Sequence, residues 1–300
     1  MRGILVLGKE AEEILRRFLK VRRFSKSGER KMHKPLLQLL ALSALVNSGS
    51  SRILFSEHEA HFQELLREYG PPSDRYKFEY PFRHMTTDGI WRATDSDGGT
   101  LSKDSPETRV RTSTGQFEST IERALTADPD LIYLLARAIA DEILPSEVAD
   151  DLLDDLSLTR SDTPVLELDI RRRSRQRNAQ WRRDVVAAWR GSCAFCGYDG
   201  TLARIPVGID AAHIRWFNHG GPDSLDNGLA LCVLDHRLFD RGALGLSSDL
   251  RIKVSPQFTA TTDTARRIEN LHGVLLNVSR DGAAPHDDFL EWHDKQVFKS

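Results

Sequence analysis

The sequence predicts an α+β protein of two domains, and three observations carry that prediction. In the first half the apolar residues follow a helical period, switch briefly to a strand-like pattern, and return to helix. An acidic and then polar stretch separates the halves. In the second half, a strand, a loop and a helix follow one another around a group of His, Asn, Cys and Asp residues. We therefore divide the chain into a mixed helix/strand domain over 1–150, a linker over 151–177 and a second domain over 178–300. Three hundred residues suffice for two hydrophobic cores.

The first-half elements follow from spacing. Ile14, Leu15, Phe18, Leu19 and Val21 give a helix over Glu10–Phe24. His33-Lys34-Pro35 opens a second, strongly apolar helix, with proline tolerated in the first turn. Phe62, Leu65, Leu66 and Tyr69 make a short third helix that stops at Gly70-Pro71-Pro72. From Tyr76 to Thr94, aromatic and β-branched residues broken by Pro81 and Asp88-Gly89 read as strands and a hairpin. Ser119 to Leu144 reads as helix, ending before Pro145. The acidic run from Asp141 to Asp155 and the polar residues around 160–164 read as the connection.

In the second half, Asn178–Trp189 is helical and leads into a tight turn at Cys193-Ala-Phe-Cys196-Gly197. Val207–Ile214 reads as a strand, His219-Gly-Gly-Pro222-Asp223 as a loop, and Leu229–Phe239 as a helix. A C-terminal helix around Phe289, Trp292, His293 and Phe298 packs back as core. No internal repeat is present.

Composition narrows the class. With 40% hydrophobic and 29% charged residues, the chain reads as soluble and globular. The longest apolar run, Leu36–Val46, is interrupted by Gln38 and Ser43 and falls short of the roughly 20 residues that span a bilayer. The N-terminus is too short and too quickly charged for a signal peptide, which places the protein in the cytoplasm. Three cysteines argue against a disulfide framework, and Cys193-x-x-Cys196 suggests metal before redox. The net charge of −2 hides two basic blocks, Arg16–Lys34 and Arg171–Arg190. Each is a footprint for a phosphate backbone or, more plainly, a solvated helix face and a linker.

The chemistry lies in Ile209-Asp-Ala-Ala-His213-Ile and Asn227-Gly-Leu-Ala-Leu-Cys232-Val-Leu-Asp-His236-Arg-Leu-Phe-Asp240. With Cys-x-x-Cys upstream, this constellation resembles the HNH nuclease family, which implies a ββα-metal fold and metal-dependent phosphodiester hydrolysis. The resemblance makes His213 the general base, since a neutral imidazole can take a proton from water near neutral pH. It gives Asn227 a positioning role, with the loop held and the base oriented. His236 and an acidic residue of the first strand then hold Mg2+ or Mn2+, which shields phosphate charge. Many HNH enzymes carry that acid immediately before the base, where this chain has Ala212. Asp210 is the nearest carboxylate, and in a regular strand it faces away from His213 unless Ala211-Ala212 bend or bulge. Asp240, four residues after His236, is a further ligand or a partner that holds the histidine. Many HNH domains close a structural zinc site with two Cys-x-x-Cys pairs. Here Cys193, Cys196 and Cys232 are present and Asp235 stands at the fourth position, leaving either a Cys3Asp site or an apolar remnant.

His33-Lys34-Pro35, Tyr80-Pro81-Phe82 and Arg109 resemble the sulfur-binding domain of phosphorothioation-dependent (type IV) restriction endonucleases, over roughly Glu10–Leu144. The resemblance implies that Tyr80 and Pro81, with His84 nearby, form a shallow apolar pocket. Sulfur is larger, softer and less hydrated than oxygen, so such a pocket accepts it and leaves an ordinary phosphate oxygen poorly solvated. His33, Lys34 and Arg109, with Arg83 as a weaker addition, would hold the backbone or read base edges. Tyr-Pro-Phe is equally a way to end a core strand. The leading expectation is an endonuclease that binds phosphorothioated double-stranded DNA and cuts it as a homodimer. Two alternatives stand beside it: an HNH enzyme reading methylated or otherwise modified bases, and a non-catalytic DNA-binding regulator.

Overall fold

The computed structural model describes residues 8–21, 29, 32–160, 169–277 and 284–300, with the side chains of 169–178 outside that description. The chain divides into two compact units, Met1–Leu166 and Glu167–Ser300. The architecture is mixed helix and strand throughout, as the α+β reading expects.

The first unit runs α1 (Lys9–Leu19), α2 (His33–Ser48), β1 (Ile53–Leu54), α3 (Phe55–Tyr69), α4 (Glu79–His84), β2 (Trp91–Thr94), α5 (Glu107–Arg111), β3 (Thr114–Phe117), α6 (Ser119–Ala127), α7 (Pro129–Ile143) and α8 (Ser146–Asp155). α2 is apolar on nearly every face and correspondingly buried from Lys34 to Ser43, the pattern of a central helix. It ends at Gly49, whose left-handed φ of 76° closes the C-terminus. The three strands form a small antiparallel sheet in the order β1-β3-β2. An aromatic core of Phe55, Phe62, Phe78, Phe82, Trp91 and Phe117 fills the space between this sheet and the helices. β3 approaches Trp91 so closely that a Cβ at Gly115 would lie 2.1 Å from the indole.

Three expectations are corrected here. Tyr76–Thr94 is not a hairpin: it holds α4 and a 3-10 turn at Met85–Thr87, and only Trp91–Thr94 is strand. Phe78, Phe82 and Met85 are spaced to bury one helical face, and Pro81 falls in the first turn, where its missing N–H costs nothing. The acidic run is not a connection either. Ser146–Asp155 is a helix that buries Val148, Ala149, Leu152 and Leu153 and turns its carboxylates outward. Ser119–Leu144 is two helices, broken at Asp128-Pro129.

The second unit contains α9 (Asp169–Ala188), β4 (Thr201–Leu202), β5 (Ile205–Pro206), β6 (Ile209–His213), β7 (Gly228–Cys232), α10 (Val233–Asp240), β8 (Leu244–Leu246), β9 (Ile252–Val254), α11 (Asp263–Glu269) and α12 (Asp287–Gln296). Its strands pair as three antiparallel ribbons, β4-β5, β6-β7 and β8-β9. β6, β7 and α10 in succession make the ββα unit. The helix expected over Leu229–Phe239 therefore starts later, because Leu229–Cys232 is strand. A continuous apolar run is compatible with either state, and here every residue of β7 is buried. α9 packs across the ribbon at Gly228, where a Cβ would meet Val185 at 2.5 Å. The C-terminal helix packs as expected: His293 is buried, stacks on Phe239 at 3.8 Å, and places Nε2 3.1 Å from its carbonyl. Among the described residues no helix is long and apolar enough to cross a membrane.

Candidate active site and nucleic-acid interface

His213 ends β6, and β6 pairs with β7 without interruption from Ile209↔Cys232 to His213↔Gly228. The pairing register carries no bulge at Ala211-Ala212, yet His236, 3.9 Å from Asp210, is also among the charges that act on the His213 imidazole. The His213 ring lies flat on Trp181 of α9, with centroids 3.8 Å apart and 15° between planes. Nε2 is 2.8 Å from Asp223 Oδ1. Burial pushes the imidazole pKa below its ordinary value, with Asp223 opposing that shift. The side chain retains 12% exposure, so it is dry but reachable.

Asn227 is fully buried just before β7. Its Oδ1 accepts from the Arg215 N–H at 2.8 Å, while Nδ2 donates to the carbonyls of Arg215 at 3.0 Å and Pro222 at 2.9 Å. It staples both ends of the 215–222 loop. That loop fits only because residue 221 is glycine: a Cβ there would lie 1.7 Å from the Arg215 carbonyl oxygen. The loop-holding role expected of Asn227 matches this geometry, but the group on the His213 ring is Asp223.

His236, on α10, faces a carboxylate on each side. Nδ1 is 3.9 Å from Asp210 Oδ2, and Nε2 is 3.3 Å from Asp240 Oδ2. The nearby imidazole is the main cause that lowers the Asp210 pKa, with a smaller contribution from Arg182. Asp240 also accepts from Trp216 Nε1 at 3.0 Å. The expected triad of Asp210, His236 and Asp240 thus does not converge on one point, because the two acids address opposite ring nitrogens. Asp210 and Nδ1 face each other beyond hydrogen-bond reach, a separation that suits two ligands of one ion. Asp240 instead suits the outer member of a carboxylate–histidine–metal relay.

The cysteines do meet. One ligand atom from each of Cys193, Cys196, Cys232 and Asp235 lies within 4.8 Å of all the others. The first two come from the turn after α9, while Cys232 caps α10 and Asp235 sits in its first turn. Cys193 Sγ is 3.1 Å from Asp235 Oδ2, and the Cys196 and Cys232 sulfurs are 3.7 Å apart. Hydrogen bonds from Cys193 and Cys196 hold the Cys232 pKa down at about 3, whereas bonds to Cys196 and Cys232 push Cys193 up. Burial raises Asp235 to about 6, and its second oxygen, Oδ1, is buried with no hydrogen-bond partner. A buried carboxylate with an orphaned oxygen beside three thiols fits a soft divalent cation such as zinc.

In the first unit, His33, Tyr80 and His84 form a surface ring cluster. Tyr80 is 42% exposed and lies 4.3 Å from His84 and 6.2 Å from His33, centroid to centroid. Burial, then the charges of Arg83 and Lys34, lower the His84 pKa. Pro81, next to Tyr80 in α4, is buried. The cations expected beside it are engaged internally. Lys34 is buried and bonded at 2.5 Å to Asp88, Arg83 donates to the Ser105 carbonyl at 3.0 Å, and Arg109 Nε binds Asp95 at 2.8 Å. Arg17 donates to the Gly89 carbonyl. Of the basic blocks, Arg22, Arg23, Lys26, Arg30 and Lys31, and the side chains of Arg171, Arg172, Arg173, Arg175 and Arg177, lie outside the described residues.

Sequence reasoning missed Asp223, Trp181 and Trp216. Asp223 carried a faint signal, as an acid in the Gly-Gly-Pro-Asp loop just ahead of Asn227. The two tryptophans carried none, since only folding brings them to His213 and Asp240.

Comparisons with known proteins match both halves. Residues 11–161 match the family described as ScoMcrA-like, DNA sulfur-binding domain, and residues 193–247 match the HNH endonuclease family. Among solved structures, the modification-dependent TagI restriction endonuclease is 28% identical over 38% of this chain and 36% of its own, with a TM-score of 0.31. The sulfur-binding domain of ScoMcrA complexed with phosphorothioated DNA is 17% identical over 47% of this chain and 96% of that one, with a TM-score of 0.39. The type IV phosphorothioation-dependent restriction endonuclease ScoMcrA is 18% identical over 48% of this chain and 28% of its own, with a TM-score of 0.35. This chain thus spans about a third of the length of TagI. No curated protein matches. Half the chain lies within one family match and an HNH endonuclease match follows it, so the protein belongs to the family of ScoMcrA-like DNA sulfur-binding domains and carries an HNH endonuclease domain behind that module.

Proposed function

We propose that this chain is a modification-dependent DNA endonuclease. Its first domain, residues 1–150, binds phosphorothioated duplex DNA, and its second, residues 178–300, hydrolyses a phosphodiester bond near the mark. The observation that carries the reading is the ββα unit with a dry imidazole, His213, at the end of one strand and the Asp210–His236 pair on the same unit. His213, kept neutral by burial, takes a proton from the attacking water. Asp210 and His236 hold a divalent ion, Mg2+ or Mn2+, which when bound shields the phosphate and the leaving oxygen. Asp240, its Oδ2 3.3 Å from His236 Nε2, keeps Nδ1 turned toward Asp210 in this reading. Asn227 maintains the loop beside the base. Cys193, Cys196 and Cys232 hold a structural zinc with Asp235 as the fourth ligand.

Tyr80, exposed and flanked by His33 and His84, with the buried Pro81 next to it in α4, is the surface that receives the sulfur in this reading. Each chain offers one hydrolytic centre, so cutting both strands calls for two chains, and we propose a homodimer on DNA. Three uncrosslinked thiols suit the reducing interior of a cell. The test uses matched duplexes with and without one phosphorothioate, each with Mn2+ or EDTA. Cleavage of the modified duplex alone, and only with Mn2+, is the expected result. Equal cutting of both duplexes would sink the sulfur reading, and cutting in EDTA would sink the metal.

A further inference from the structure

We propose that Asp223 is the positioning residue of the general base, selecting Nδ1 of His213 as the atom that takes the proton. The inference rests on the reading of His213 as that base. It begins from a property of the groups: a carboxylate only accepts hydrogen bonds, and a neutral imidazole carries one N–H and one lone pair. Asp223 Oδ1 lies 2.8 Å from Nε2, so the neutral ring must carry its hydrogen on Nε2 and its lone pair on Nδ1. The buried ring favours the neutral form, which makes the choice of tautomer decisive.

The surroundings fix Asp223 on both sides. The carbonyl of Pro222, just before it, accepts from Asn227 Nδ2 at 2.9 Å. The carbonyl of Ser224, just after it, accepts from Trp181 Nε1 at 2.9 Å. Trp181 also lies flat on the imidazole, so one side chain sets both the ring plane and the position of the acid. With the plane set by stacking and one in-plane direction set by Asp223, the imidazole has a single remaining functional direction. Asn227 then acts through Asp223 rather than on the base itself, which explains how a fully buried amide with three backbone bonds belongs to a hydrolytic motif.

In the step itself, Nδ1 takes one proton of water as the water oxygen bonds to phosphorus. The bond from phosphorus to the leaving sugar oxygen breaks, that oxygen keeps the electron pair, and solvent later protonates it. Asp223 keeps its hydrogen bond from Nε2 throughout and stabilises the imidazolium that forms.

The experiment compares wild type, D223A and the isosteric D223N, which guards against a folding defect. Nitrogen-15 NMR of histidine-labelled protein, with H213A identifying the signal, reads the tautomer. Cleavage of a phosphorothioated duplex with Mn2+ reads the rate. In wild type His213 should carry hydrogen on Nε2. Both variants should lose that single tautomer and cut about a hundredfold more slowly, with duplex affinity within about twofold of wild type. A change in affinity alone, with the rate at saturation unaltered, would overturn the proposal, as would Nδ1–H in the wild type. The tautomer is read without cleavage, so Nε2–H in a wild-type protein that cuts no DNA would support the geometry while sinking the nuclease reading.

Discussion

The two halves of the chain use their sequence signals differently. In the second unit, side chains from separate elements meet in defined groups: Asp223 and Trp181 on His213, Asp210 and Asp240 on His236, and four ligand atoms in the cysteine cluster. In the first unit, several of the described cations that suggested a DNA surface are engaged with groups of the unit itself. Lys34 holds Asp88, Arg17 holds Gly89 and Arg83 holds Ser105, while Tyr80 of the ring cluster is exposed. The contrast teaches that a chemical motif constrains position, because its groups must meet, whereas a basic residue in a run can serve the fold just as well. On the proposed reading, an exposed ring such as Tyr80 favours sulfur, since an unmodified phosphate gains little from an apolar surface.

The largest effect should break the nuclease side alone. H213A should slow cleavage of phosphorothioated DNA at least a thousandfold, roughly the contribution of a general base, with binding of the duplex nearly unchanged in a gel-shift assay. Loss of binding as well would mean that His213 supports the fold. The wild-type rate supplies a second check. On the proposed mechanism His213 acts as the neutral form, and burial lowers its pKa, so the acid limb of the rate profile should lie below pH 6.5. Activity should be lost only as pH falls through that lowered value. A limb above pH 7 would contradict the dry setting of the ring.

The next effect concerns the cysteine cluster. Purified protein should contain about one zinc per chain by elemental analysis, and D235A should lower both that content and the thermal midpoint by several degrees. D235C, which completes four thiolates, should retain the metal. Equal zinc content in wild type and D235A would remove Asp235 from the ligand set.

How much of this was legible in the sequence varies with the kind of signal. His213, Asn227 and His236 could be read because one strand, one loop and one short helix bring them together at short separations. Asp223 could not, since its pairing depends on a loop path that Gly221 and Asn227 create only in the folded state. Leu229–Cys232 was misread because a buried strand and a buried helix look alike when every position is apolar. Phe78, Phe82 and Met85 carry a helical spacing, but the aromatic and β-branched residues of this segment, broken by Pro81 and Asp88-Gly89, read as strands and a hairpin. The acidic helix α8 was hidden by its own charge, because four buried apolar residues lie among its carboxylates.

The comparison predicts opposite outcomes for two first-unit residues. K34A should cost about 3 kcal/mol of stability, because it removes one member of a buried ion pair with Asp88. Thermal or urea unfolding measures this. A phosphate-contacting lysine would behave otherwise: K34A would leave the midpoint in place and reduce the salt dependence of DNA binding.

Y80A should do the reverse and is the smallest effect. Tyr80 is half-exposed and contributes one face of an open ring cluster, so its loss should change stability by less than about 1 kcal/mol. Its expected effect is on selectivity. If the ring supplies part of an apolar surface for sulfur, removing it should weaken binding to the modified duplex about tenfold, a free energy of roughly 1.4 kcal/mol. Binding to the unmodified duplex should change less than threefold, because an ordinary phosphate gains little from that surface. Competition titrations with the two duplexes measure the ratio directly. An equal loss for both would assign Tyr80 to general DNA contact, and the discrimination would then have to come from elsewhere in the first unit.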